Sequence, residues 1–145
     1  MTPNPFVAQT APEPRNRLVQ ISRIALLGLL GLLAGCSEAQ VGSISSQELE
    51  SRIQAGQAPL ILDVRTPEEF AGGHVPGAVN MPYTQVPRRA SDLGVSPDTE
   101  IVVYCQSGGR AGAAEQSLAS QGYSNIVDLK GHMLGWRNAG QTVEN

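Results

Sequence analysis

This chain of 145 residues has little sulfur, few aromatic rings and no long apolar run. It holds two cysteines, Cys36 and Cys105, so at most one intramolecular disulfide is possible. Phe, Tyr and Trp together make up 4% of the residues, and no basic stripe with interleaved aromatics occurs. That absence argues against nucleic-acid binding. The longest apolar run, Ile24 to Gly35, is 12 residues, too short to span a bilayer comfortably as a helix. No internal repeat is visible, and the length suits one ordinary domain rather than two. The apolar share of 41% and the charged share of 16% leave enough material for a globular core.

Charge is unevenly placed. Residues 1–35 carry Arg15, Arg17 and Arg23 against Glu13, a net +2. The remaining seven basic and twelve acidic residues leave a body of −5. Arg23 stands directly before the apolar run, as in a secretory signal peptide. The run ends in "LLAGC", Leu32 to Cys36, which resembles the bacterial lipobox, where a leucine and two small residues precede a cysteine. The resemblance implies a lipoprotein signal peptide over residues 1–35, lipidation of Cys36 and a tether over 36–43. Several acyl chains on one residue give stable anchoring. The expected location is the bacterial cell envelope, facing the periplasm. Ser37 after the cysteine favours the outer membrane if the cell is Gram-negative. The other reading is an uncleaved hydrophobic anchor with an incidental cysteine. If Cys36 carries lipid, Cys105 stays a free thiol, which in an oxidising compartment calls for a task.

The body alternates between strand and helix signals. "ISSQELESRIQAG" gives a helix, with Ser45 and Glu48 at capping-box spacing, Ile44 and Leu49 as a hydrophobic staple, and Gly56 as its stop. "PLILDV", Pro59 to Val64, is a continuous apolar run of the kind found in parallel sheets covered on both faces. In "TPEEF", Thr66 is an N-cap, Pro67 takes the first helical position and Glu69 completes a second capping box. A short strand is expected at Ala78 to Asn80, a weaker helix in Thr84 to Leu93, and a buried strand at Ile101 to Tyr104. Ala111, Ala114 and Leu118 have helical spacing before Gly122. "NIVDL" reads as a last strand and Met133 to Ala139 as a short final helix. Four or five strands with helices between them predict a parallel α/β sheet sandwiched by helices.

Between the strand ending at Tyr104 and the next helix lies "CQSGGR", Cys105 to Arg110. A loop of this kind points backbone N–H groups at a common centre. Gly108 and Gly109 permit a curled cradle, and the helix start adds positive dipole character. Such surroundings stabilise negative charge on sulfur. Arg110 offers a planar cationic fork and Ser107 a hydroxyl. The set suits a cysteine nucleophile attacking an anionic substrate. The plainer alternative is a small apolar filler at a strand end, beside a tight turn.

"ILDVRTPEEFAGGHVPGAVNMPY" (Ile61–Tyr83), "VVYCQSGGRA" and "LKGHMLGWRNAGQTVE" (Leu129–Glu144) together resemble the rhodanese family over residues 44–144. The resemblance implies a three-layer α/β domain with a five-stranded parallel sheet. It implies a persulfide on Cys105, loaded from a small anionic sulfur donor such as thiosulfate and discharged to a thiol or cyanide. Gln106, Ser107, Gly108, Gly109 and Arg110 become the substrate-binding cradle, with Arg110 on the anion. No metal or cofactor is implied, and a monomer is expected. Asp63 and Arg65 are expected to lock the sheet edge to the "TPEEF" helix, with an Arg65–Glu69 ion pair. His74 takes a structural place and Trp136 a core one. His132 departs from the family's pair of glycines and is expected at the pocket mouth, which leaves donor specificity open. One rival is a phosphatase of the same fold, but those loops place five residues between cysteine and arginine, and here there are four. The other is a rhodanese-like module that only binds a partner or carries sulfur; many such domains lack the cysteine that is present here.

Overall fold

The computed structural model describes residues 41–145. The expected signal peptide and Cys36 lie outside these residues. Five strands form one parallel sheet: β1 (Gly42–Ile44), β2 (Leu60–Asp63), β3 (Val79–Asn80), β4 (Ile101–Tyr104) and β5 (Ile126–Leu129). Their spatial order is β1-β5-β4-β2-β3. Five α-helices connect and flank them: α1 (Ser46–Gln54), α2 (Pro67–Ala71), α3 (Val86–Arg89), α4 (Gly109–Ser120) and α5 (His132–Asn138).

The apolar runs become two-faced strands because side chains alternate across a pleated sheet. Leu62, Ile101 and Val103 point to one side, where Val86 of α3 and Ala111, Ala114 and Leu118 of α4 cover them. Ile61, Val102 and Tyr104 point to the other, against Leu49 of α1 and Met133 and Trp136 of α5. All four residues of β4 are buried, as a central strand covered on both faces requires. Trp136 sits in the core and its indole N–H donates to Thr142 O at 2.7 Å.

Local signals explain most boundaries. The Ser45 hydroxyl accepts from Glu48 N, while the Glu48 carboxylate turns to Arg52 rather than back to the cap. At α2 the capping box is complete: Thr66 accepts from Glu69 N and Glu69 accepts from Thr66 N. The helix expected over Thr84–Leu93 divides into α3 and a 3-10 turn, Ala90–Leu93, closed by Gly94 at φ 66°. Strand β1 takes in Gly42 and Ser43, residues that the sequence assigns to the tether. Among the described residues it pairs with β5 alone, Gly42 opposite Val127 and Ile44 opposite Leu129.

The topology fixes where a site can form. From β2 the chain runs outward to β3, whereas from β4 it runs the opposite way to β5. The carboxyl ends of the adjacent strands β2 and β4 therefore flank a crevice, the usual position for a ligand in such sheets. The β2–α2 junction and the loop Cys105–Gly108 are its two walls.

Candidate active site

Cys105 is the first residue after β4, a buried free thiol on the α4 side of the sheet. Gly108 N donates to its Sγ at 3.0 Å. Gly108 achieves this with φ 119°, a conformation that side-chain-bearing residues rarely adopt. Gly109 differs from expectation: it has no positive φ and opens α4 with free space around it, so the curl of the loop rests on Gly108 alone. The first amides of α4 have no intrahelical partners. Ser107 and Gly109 are exposed, and Gln106 and Arg110 are half-buried. The loop is fastened from behind by α5: Met133 N donates to Cys105 O at 3.0 Å and Leu134 N to Gln106 O at 3.2 Å.

Arg110 crosses the crevice. Its two terminal nitrogens donate to Glu69 Oε2 and Oε1 at 2.6 and 2.8 Å, a bidentate pair. The guanidinium holds the Glu69 carboxyl down to about 2, and Glu69 in turn raises the Arg110 pKa, with the Cys105 sulfur adding a smaller effect. This corrects the expected Arg65–Glu69 pair. Arg65 instead binds Asp63, with Nη2 to Oδ2 at 2.6 Å and Nε to both carboxylate oxygens at 3.0 Å. It also donates to Gly73 O at 2.9 Å. Asp63 and Arg65 are 0% and 2% exposed, and Asn80 donates to the carbonyls of both. The pair pins the β2–α2 junction to the turn that begins at Gly73.

The two histidines differ in kind. His74 stacks on Phe70, with ring centroids 3.7 Å apart. Its Nδ1 bonds Phe70 O at 3.0 Å, and its backbone bridges to Glu144. It braces the turn against the C-terminal residues. His132 opens α5 and lies against the candidate loop: a Cβ on Gly108 would fall 2.9 Å from its Nε2. It is buried. Its backbone, at φ 51°, is in the left-handed region, which costs an L-residue about 1–2 kcal/mol.

Sequence reasoning found the contiguous loop but missed three acidic neighbours. Glu69 was assigned to Arg65. Asp128 and Glu115 gave no signal, because only the folded chain brings Asp128 of β5 near His132 and Glu115 of α4 near Asp128. Asp128 Oδ1 lies 3.6 Å from His132 Nε2. Burial first, and then Asp128, raise the Glu115 carboxyl to about 7.

A family model for the rhodanese-like domain matches residues 45–139. A sulfurtransferase of Allochromatium vinosum is 35% identical over 103 residues, spanning 71% of this chain and 94% of that protein. A thiosulfate:glutathione sulfurtransferase of Saccharomyces cerevisiae is 33% identical over 115 residues, spanning 69% and 83%. Among solved structures, the Alr3790 protein of Anabaena sp. superposes with a TM-score of 0.66 at 31% identity, covering 70% of this chain and 82% of that one. With the five-stranded parallel sheet, the Cys105 loop and these likenesses in agreement, the chain belongs to the rhodanese-like domain family and is related to sulfurtransferases.

Proposed function

We propose that this chain transfers sulfane sulfur from thiosulfate, through a persulfide on Cys105, to a thiol or to cyanide. The observation that carries the reading is the contact of the Gly108 N–H with Cys105 Sγ at 3.0 Å, in a loop whose arginine follows after only four residues. The tight ring supports a sulfur-sized anion over a phosphate. In the first step the Cys105 thiolate attacks the outer sulfur of thiosulfate. A new S–S bond forms, the old one breaks, and sulfite leaves with the electron pair. The cradle amides stabilise the terminal sulfur anion that remains. In the second step cyanide or an acceptor thiolate takes that sulfur, giving thiocyanate or a new persulfide and restoring the Cys105 thiolate. Arg110 supplies positive charge beside the bound anion while Glu69 fixes its plane.

The test is mass spectrometry of the purified protein after thiosulfate. Cys105 is expected to gain one sulfur atom and lose it to cyanide or a thiol. Cys105→Ser is expected to show neither the gain nor thiosulfate cyanolysis, with its fold intact; unchanged turnover in that variant refutes the assignment.

The same reading includes anchoring at Cys36, supported by Arg23, the apolar run and "LLAGC". Cys36→Ser is expected to move most of the protein from the membrane fraction to the soluble fraction of the producing cells. Retention of both forms in the membrane would favour an uncleaved anchor.

A further inference from the structure

His132 stands at φ 51°, next to Gly131 at φ 79°. A residue held in a strained conformation beside a candidate site is a reason to ask what its side chain does. The ring is 9% exposed as a residue and rests on Gly108, the glycine whose N–H meets the Cys105 sulfur. Behind the ring are two acids from two other elements. Asp128 of β5 is 3.6 Å from Nε2, and its charge adds to burial in raising the Glu115 carboxyl of α4. His132 Nδ1 and Glu115 Oε1 are both buried without a hydrogen-bond partner. Nothing in the fold requires a titratable cluster here: Trp136 and Met133 already fill the core under α5.

The geometry points to His132 as a titratable positioning residue of the sulfur-transfer loop, with Asp128 and Glu115 as the acids that govern its charge. The inference rests on the sulfurtransferase reading and deepens it. The imidazole holds Gly108 so that its amide faces the sulfur. In the imidazolium form it also adds positive charge to the cradle while a dianionic donor is bound. It forms and breaks no bond in the transfer. The charged or titratable groups around it are Asp128, Glu115 behind Asp128, and Cys105 and Arg110 of the loop. Arg110 is paired with Glu69, and Lys130, in the turn before α5, is exposed. An imidazole carries charge only on the acid side of neutrality, so the electrostatic help belongs to low pH while the packing is the same at every pH.

The experiment compares the full protein with His132→Gly, His132→Asn and Asp128→Asn from pH 5.5 to 9. Glycine suits the left-handed position, and asparagine tolerates it without titrating. Two rates are read: single-turnover sulfite release from thiosulfate, and alkylation of Cys105 by iodoacetamide, which needs no sulfur donor. Both His132 variants are expected to be about tenfold slower than wild type at pH 6 and within about twofold at pH 9. Asp128→Asn is expected to move that convergence to lower pH. A ratio constant across pH in both rates would leave His132 a packing residue and overturn the inference. If wild type releases no sulfite while the alkylation ratio still converges, the sulfurtransferase reading falls and the coupling to Cys105 stands.

Discussion

Arg110 faces two anions at once, one that belongs to the protein and one that would arrive as substrate. Glu69 takes one N–H from each terminal nitrogen, which leaves further donors of the guanidinium for a ligand. The carboxylate also keeps the fork from swinging away from the loop. Removing the guanidinium therefore has two effects in one direction: a charge-assisted hydrogen bond is lost, about 1.5–3 kcal/mol, and Glu69 is left beside the anion site without its partner. Arg110→Ala is expected to raise the thiosulfate KM by about tenfold or more, with a smaller change in kcat. Adding Glu69→Gln to that variant is expected to recover part of the KM. Steady-state kinetics with thiosulfate checks both, and a normal KM in Arg110→Ala shows that the anion is held elsewhere.

Elements assemble the site from two strand–helix junctions, and one of them was far more legible than the other. The loop after β4 could be read from the sequence because its residues are contiguous, and because a wholly apolar strand followed by glycines leaves one place for it. The junction after β2 was legible as a capping box but not as an ion pair. Arg65 and Glu69 have helical i,i+4 spacing, yet Arg65 precedes the N-cap Thr66 and so lies outside the helix. On nearly extended chain the face shared by Arg65 is that of Asp63, two residues back. Strand β1 was not legible because three residues with two exposed positions carry no period. The consequence for stability follows from burial. Arg65→Ala leaves the Asp63 carboxylate in the interior without its counter-charge, and breaking a buried pair on one side costs about 3–5 kcal/mol. Urea unfolding should show that loss, whereas Arg52→Ala, at the half-exposed pair with Glu48 and Glu100, should shift the midpoint far less. Equal losses at the two arginines would contradict this account of the junction.

At the scale of the whole molecule, two carboxyls set opposite limbs of the stability–pH curve. Glu69 is lowered from 4.5 to about 2, chiefly by Arg110. Its contribution is present above the unfolded value and is lost as pH falls from about 4.5 towards 2. Glu115 is raised from 4.5 to about 7, first by burial between α4 and the sheet and then by Asp128. The folded state holds that proton more tightly than the unfolded chain, so stability falls as pH rises from 4.5 through about 7. From these two groups the maximum lies near pH 5, below neutrality. A shift of this size corresponds to a loss on the order of 1–3 kcal/mol between pH 5 and 8. Glu115→Gln keeps the shape of the side chain and removes the ionisation. Its urea midpoint is expected to stay nearly level between pH 5 and 8 while that of the wild type declines. Parallel declines would place the alkaline loss in other groups. A level variant would mean that the domain carries a destabilising pair of acids at neutral pH, one of which, Asp128, lies 3.6 Å from His132 Nε2.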